Sequence, residues 1–276
     1  MGTLYIVATP IGNLNDFTPR AIDTLRSVRL IAAEDTRHSG ALRSAFDIRT
    51  PMISYHHHNR SQREQRLLDE LREGDVALIS DAGTPGIADP GREIVEAALR
   101  EGHRVVPIPG ASALVAAVSA SGLVEGPFIF LGFIERKGDE RREALAKAEM
   151  TGWPIVLFES PVRLAETLEE LARHMPGREV VVARELTKLH EEIVRGPIAD
   201  IVSRFGEGET RGEIVIVVGP GKPGAEAETD TSALARRLLA DGLKPSKAAR
   251  ELARIAGISG DEAYGIVRAA NQDFDG

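Results

Sequence analysis

Three short apolar runs, each emptying into a loop of Gly, Pro and small polar residues, constrain this chain more than any other feature. Residues 4–8 run into Thr9-Pro10-Ile11-Gly12-Asn13-Leu14, residues 76–79 into Ser80-Asp81-Ala82-Gly83-Thr84-Pro85-Gly86, and residues 105–108 into Pro109-Gly110-Ala111-Ser112-Ala113. A further β-branched run covers 28–33, and helical patterns at 19–27, 62–73 and 92–100 lie between the runs. In the second of these, Leu67, Leu68 and Leu71 share one face among Arg, Glu and Asp. Strands alternating with helices build a parallel sheet covered on both faces, and in such sheets ligands sit at the carboxyl ends of the strands. The loop after residue 79 continues to Gly91 and is longer than a connector needs. Its glycines tolerate positive φ and expose main-chain groups to a ligand, while Pro85 and Pro90 stiffen it.

A second set of strands is expected at 128–133, 155–158, 180–183, 193–195 and 214–218, with helices at 139–149, 162–174 and 198–205. The strand at 193–195 follows its predecessor after a short polar stretch, which suits a hairpin and makes this second sheet mixed. Residues 221–230 have linker composition, and three short helices are expected beyond them at 232–240, 246–255 and 261–269, with Ser246 and Ser259 as caps. The expected organisation is therefore an α/β lobe over 1–120, a second over 121–220, a linker over 221–230 and a helical module over 231–276 with a helix-turn-helix look.

With 276 residues the chain is long enough for two such lobes, and without Cys it has neither disulfides nor thiolate metal sites. No basic leader and no run of membrane-spanning length is present in the sequence, so a cytoplasmic location is the expectation. The net charge of −8 argues against a general nucleic-acid binder, yet Arg136, Lys137, Arg141 and Arg142 cluster, and Lys244, Lys247, Arg250 and Arg254 fall at helical spacing. Each cluster is either a solvated helix face or an RNA contact. His56-His57-His58-Asn59 invites a metal, but consecutive side chains diverge and nothing completes a site; with Tyr55 they suit stacking on RNA bases.

Six motifs in order, Ala8-Thr9-Pro10-Ile11-Gly12-Asn13-Leu14, Glu34-Asp35-Thr36-Arg37, Ser80-Asp81-Ala82-Gly83-Thr84-Pro85, Pro107-Ile108-Pro109-Gly110, Phe158-Glu159-Ser160-Pro161 and Ala183-Arg184-Glu185-Leu186-Thr187-Lys188, resemble the small-subunit ribosomal RNA methyltransferase I group of the tetrapyrrole methylase superfamily. The resemblance implies a two-lobed fold and a dimeric enzyme. It also implies transfer of a methyl group from S-adenosylmethionine to the ribose 2′-oxygen of a cytidine in 16S rRNA, on the assembled small subunit. A dinucleotide Gly-x-Gly-x-x-Gly and a Walker loop are both missing, which fits a cofactor without phosphate.

By the same resemblance the cofactor lies between the lobes. Its contacts would be Pro10, Asp81, Ala82, Gly83, Ile87, Asp89, Ser112, Ala113, Leu131, Gly132, Phe133, Leu186, Gly212 and Glu213. A ribose hydroxyl needs a proton acceptor, for which Glu185 is the first candidate and Lys188 the second; Arg184 would hold a neighbouring phosphate, although Arg184 and Glu185 also read as a structural ion pair. RNA contacts would come from Asp35, Arg37, His56, His58, Asn59, Arg163, Lys244 and Lys247. The group has His before Arg after Glu159-Ser160-Pro161, where this chain has Val162, so no His acts as base there. Tetrapyrrole C-methylation on the same fold, and a non-catalytic assembly factor that binds the cofactor, remain the alternatives.

Overall fold

The computed structural model describes residues 1–56, 60–206, 210–221 and 231–272, without the side chains of 60–62 and 272. His58, Asn59 and most of the expected linker lie outside the described residues. The chain divides into two compact units: Met1–Ala120 with Ala183–Glu192, and Ser121–Val182 with Ile193–Gly276. The contiguous boundary near residue 120 thus has an exception, because the ten residues Ala183–Glu192, which include the Ala183-Arg184-Glu185 motif, group with the first unit.

Unit 1 is built on β1 (Thr3–Val7), β2 (Leu30–Ala33), β3 (Met52–Ser54), β4 (Val76–Ile79) and β5 (Arg104–Ile108), in the order β3-β2-β4-β1-β5. β1 runs parallel to β4 and β5, and β2 to β3 and β4, with Ala33 beside Ile79 and Val7 beside Ile108, so the carboxyl ends of the strands share one edge. Helices α1 (Pro19–Ser27), α2 (His38–Ala45), α3 (Arg60–Glu73) and α4 (Arg92–Arg100) connect them, and α5 (Ala113–Ser121) follows β5. Alternate strand residues feed two cores: Leu4, Leu30 and Leu78 pack with Leu67, Leu71 and Ile94, while Val7, Ile31 and Ile79 pack with Ala21, Leu25 and Ile48. Helix α1 begins where Thr18 accepts a hydrogen bond from Ala21 N at 3.2 Å and Pro19 supplies a fixed φ.

Unit 2 holds β6 (Ile129–Phe133), β7 (Ile155–Glu159), β8 (Glu179–Arg184), β9 (Glu192–Pro197) and β10 (Ile214–Val218) in the order β6-β7-β10-β8-β9. β6 runs parallel to β7 and β10 antiparallel to it, the mixed sheet expected from the sequence, with β8 and β9 adjacent. Leu145 of α6 (Asp139–Met150), Leu164, Leu168 and Leu171 of α7 (Leu164–His174), and Ile198 and Ile201 of α8 (Ile198–Phe205) pack in one core with the sheet.

The terminal helices α9 (Thr231–Ala240), α10 (Pro245–Ala256) and α11 (Gly260–Gln272) close a fourth core around Leu238, Leu252 and Val267 that also takes in Ala146 of α6. Ser259 caps α11 by accepting from Glu262 N at 3.2 Å. Ser246 does not cap α10: Pro245 opens the helix and Lys244 holds the cap position, because a proline at the first helical position needs no donor partner. No helix among the described residues is long and apolar enough to cross a membrane.

Candidate active site

The edge where the strands of unit 1 end carries most of the residues singled out in the sequence. Thr9 N donates to Gly83 O at 2.8 Å and Gly83 N to Thr9 O at 3.1 Å, so the loops after β1 and β4 are bridged. The next loop joins through Thr84, whose hydroxyl donates to Ala111 O at 3.4 Å. Gly83 sits at φ 76°, and a Cβ there would stand 3.4 Å from Ile11 Cγ2. Beyond it Gly86, Ala88 and Gly91 also take positive φ, an arrangement costly for Ala88 and needed to fold the loop back on itself. A Cβ on Gly91 would approach Leu78 Cδ2 to 2.9 Å, which explains the glycine. Ser112, next to Ala113, accepts from Val115 N at 3.4 Å at the start of α5.

Three carboxylates meet at this edge. Asp81 Oδ1 accepts from Asp35 N at 3.0 Å, and Glu34 accepts from Asp81 N at 3.4 Å. Burial pushes Asp89 up to about 6, with the charges of Glu34 and Asp81 adding to the shift against a hydrogen bond from Ser80. Repulsion of this kind is relieved by a cation, so the edge suits a positively charged ligand such as a sulfonium or an ammonium. The sequence reasoning did not single out Glu34 for this place. Its signal was the parallel register, since Ala33 lies beside Ile79 and the next residues, Glu34 and Ser80, leave the sheet together. Asp35 itself is bound by Arg37 through Nε at 3.1 Å and a second guanidinium nitrogen at 2.8 Å, which holds its carboxyl below the usual range. His56 is half-buried after β3.

The segment Ala183–Glu192 brings the acid–base candidates into the same unit. Lys188 Nζ donates to Glu185 Oε1 at 2.7 Å, and Arg184 Nε to Glu192 Oε2 at 3.1 Å. Glu185 and Thr187 both lie at positive φ, 53° and 68°, and Thr187 N donates to Glu191 at 2.6 Å. The Lys188 stem lies over Gly12, where a Cβ would come within 2.4 Å of Lys188 Cγ and 3.1 Å of Thr187 Oγ1. A glycine after Pro10-Ile11 is therefore required by close approach, and it couples the β1 loop to the Glu185 segment. Leu186 between them is buried.

Within unit 2 the remaining cofactor candidates gather at one end of the sheet. Gly132, at φ 61°, follows a register shift in β6, and Phe133 pairs in register with Phe158. Ile214, directly after Gly212 and Glu213, pairs with Glu159 at that same end of β7. Phe133 and Phe130 each set a ring edge-on to Phe158.

Two basic residues read as RNA contacts or as part of a basic cluster are instead engaged inside unit 2. Arg163 binds Glu159 through Nε at 2.7 Å and through a terminal nitrogen at 2.9 Å, and also donates to Ile134 O. Burial opposes ionisation of Glu159, but hydrogen bonds from Arg163, Thr167 and Ser160 outweigh it and hold the carboxyl below its ordinary range. Arg141 is buried against Glu170, Glu135 O and Thr167, although its cluster read as surface. Lys244 and Lys247 are exposed, with Lys247 3.8 Å from Asp139. No group of three or more His, Cys, Asp or Glu among the described residues is placed to hold a metal ion.

Comparison with known proteins adds three findings. Residues 3–202 match the model of the Tetrapyrrole (Corrin/Porphyrin) Methylases. Ribosomal RNA small subunit methyltransferase I of Synechocystis sp. is 47% identical over 258 residues, 92% of each chain, and that of Halalkalibacterium halodurans is 42% identical over 272 residues, 96% of this chain and 94% of the relative. Among solved structures, uroporphyrin-III C-methyl transferase from Thermus thermophilus complexed with S-adenyl homocysteine superposes with a TM-score of 0.55 at 19% identity, covering 79% of this chain and 97% of that one.

Proposed function

The chain belongs to the tetrapyrrole (corrin/porphyrin) methylase family, and on that premise we propose that it is an S-adenosylmethionine-dependent methyltransferase of small-subunit ribosomal RNA, acting on the ribose 2′-oxygen of a cytidine in the cytoplasm. One observation carries the choice of RNA over a tetrapyrrole. The 47% identity runs over 258 residues, past the family region that ends at 202 and into the terminal helices, whereas the tetrapyrrole enzyme shares the fold at 19% identity. Fold alone does not fix a substrate, but identity at this level over 92% of the chain supports a shared one.

S-adenosylmethionine supplies an electrophilic methyl group on a cationic sulfonium, and its binding residues would be the bridged loops of unit 1. Glu34, Asp81 and Asp89 offer the negative field that a ligand with a sulfonium and an ammonium satisfies, and the glycines let it approach main-chain groups. Glu185 takes the proton of the substrate hydroxyl at its carboxylate as the oxygen attacks. Lys188, 2.7 Å away, fixes the carboxylate and stabilises its charge. Arg184 lies one residue away and suits a flanking phosphate.

The test is chemical. Small subunits lacking their own modification are incubated with the protein and radiolabelled S-adenosylmethionine, and the rRNA is digested to nucleosides for mass spectrometry. A ribose-methylated cytidine is expected; a methylated base, or transfer to a porphyrinogen but never to RNA, overturns the proposal.

A further inference from the structure

Unit 2 contains a cavity of about 560 Å³ bounded by the 136–138 loop, α6, the end of α7 and the end of α9. Five Lys or Arg side chains line it against three carboxylates, a local sign opposite to the net charge of −8. Its remaining lining residues are His174, Gly138, Ala240 and Gly242, so no large apolar side chain is present to hold a hydrophobic ligand or peptide anchor.

The cations fall into two sets. Arg141 is fixed by Glu170 at 2.6 Å and Arg142 is paired with Asp139, so these two are structural. Arg136, Lys137 and Arg173 are exposed, and their side chains make no ion pair or hydrogen bond among the described residues. Three uncommitted cations around a cavity wider than one phosphate match a string of phosphates better than a single anion. The fixed Arg141 and Arg142 behind them hold the wall in place.

We propose that this cavity seats the phosphodiester backbone of RNA, an inference that rests on the RNA-directed function above and places a positioning contact away from the strand-end loops of unit 1. Arg136, Lys137 and Arg173 hold the backbone, and the end of α9 forms one wall. The terminal helices therefore act by shaping this seat as well as by packing on α6. Of the two basic clusters in the sequence, the first contributes through Arg136 and Lys137.

The test compares full-length wild type with the double variant Lys137→Ala, Arg173→Ala and with Arg173→Lys. Dissociation constants are measured for small ribosomal subunits and for a fluorescein-labelled single-stranded RNA dodecamer across a salt series, with S-adenosylmethionine affinity measured by calorimetry. Each lost phosphate contact on a single strand removes about 0.7 from the slope of log affinity against log salt, so the double variant is expected to bind both RNAs more weakly with a slope shallower by about 1.4. Arg173→Lys keeps the slope, and cofactor affinity does not change. Wild-type RNA affinity and slope in the double variant overturn the proposal. Were the wild type to bind RNA with the expected dependence on these residues yet transfer no methyl group to it, the functional proposal would fail while this one stood.

Discussion

Among the described residues, the four non-glycine residues with positive φ, Asp47, Ala88, Glu185 and Thr187, belong to unit 1, whereas those of unit 2 take positive φ only at glycine. Unit 2 instead carries buried charge: Glu159 with Arg163, Arg141 with Glu170, Glu149 with His174 and Arg237, and Arg178, whose pKa burial lowers while it donates to Trp153 O and Gly219 O. Backbone strain at loop ends persists where surrounding structure over-determines it, as at ligand sites. Buried pairs satisfied by several hydrogen bonds fix a scaffold, and removing one partner leaves a charge without compensation. On the proposed function, the strained loops of unit 1 would carry the chemistry and the charge pairs of unit 2 would hold the scaffold.

The largest effect expected from breaking the comparison is on stability, in unit 2. Glu159→Ala leaves Arg163 without its partner beside a side chain that was fully buried, and should cost about 3 kcal/mol in a urea unfolding experiment, the low end for a buried pair because Arg163 keeps some exposure. Because the folded carboxyl lies below its ordinary value of 4.5, its stabilisation is present at neutral pH and disappears as pH falls through that lowered value, so wild type and variant converge in acid. A loss under about 1 kcal/mol would mean that the pair is not scaffolding.

Substitutions in the unit 1 loops should act on the ligand more than on the fold. Gly83→Val places a β-branched residue at φ 76° and should cost about 1–2 kcal/mol of stability. It should weaken S-adenosylmethionine binding about tenfold or more, an added loss of about 1.4 kcal/mol or more. Asp81→Ala should weaken binding without the backbone penalty. Calorimetry on both variants decides the matter, and unchanged binding in the two together removes this loop from the site.

A further effect is a pH slope. Asp89 in the folded protein holds its proton up to about pH 6, while the unfolded chain releases it near 3.8, so stability falls as pH rises across that window and is level above it. Melting temperatures measured across the window should show this fall in wild type and a flatter profile in Asp89→Asn. Equal slopes in the two proteins would deny that Asp89 is held in a field needing a cation.

The unit 1 strands and loops were legible because composition there is causal: β-branched runs make buried parallel strands, and Gly and Pro are what a folded-back loop needs. Helix α5 escaped because Ala113–Ser121 has no charged residue and so no polar face, and β3 because it is three residues long. Arg141 misled because Arg is ordinarily exposed and only the tertiary position of Glu170 draws it inward, whereas Arg163 is held by Glu159 four residues earlier, a spacing the sequence does contain. The strain at Glu185 and Thr187 was illegible for a different reason: neither is glycine, and the segment is held by long-range packing of Thr187 and Lys188 over Gly12 and by the hydrogen bond from Thr187 N to Glu191.

The central claim is that the strained Ala183–Glu192 segment performs the proton transfer. Single-turnover methyl transfer to small subunits by Glu185→Gln, with S-adenosylmethionine affinity measured in parallel, tests it most directly. The account predicts a rate lower by about 10²–10⁴-fold with cofactor affinity retained, the range for removal of a general base. A variant that transfers methyl groups within about twofold of the wild-type rate, far below that range, would contradict it.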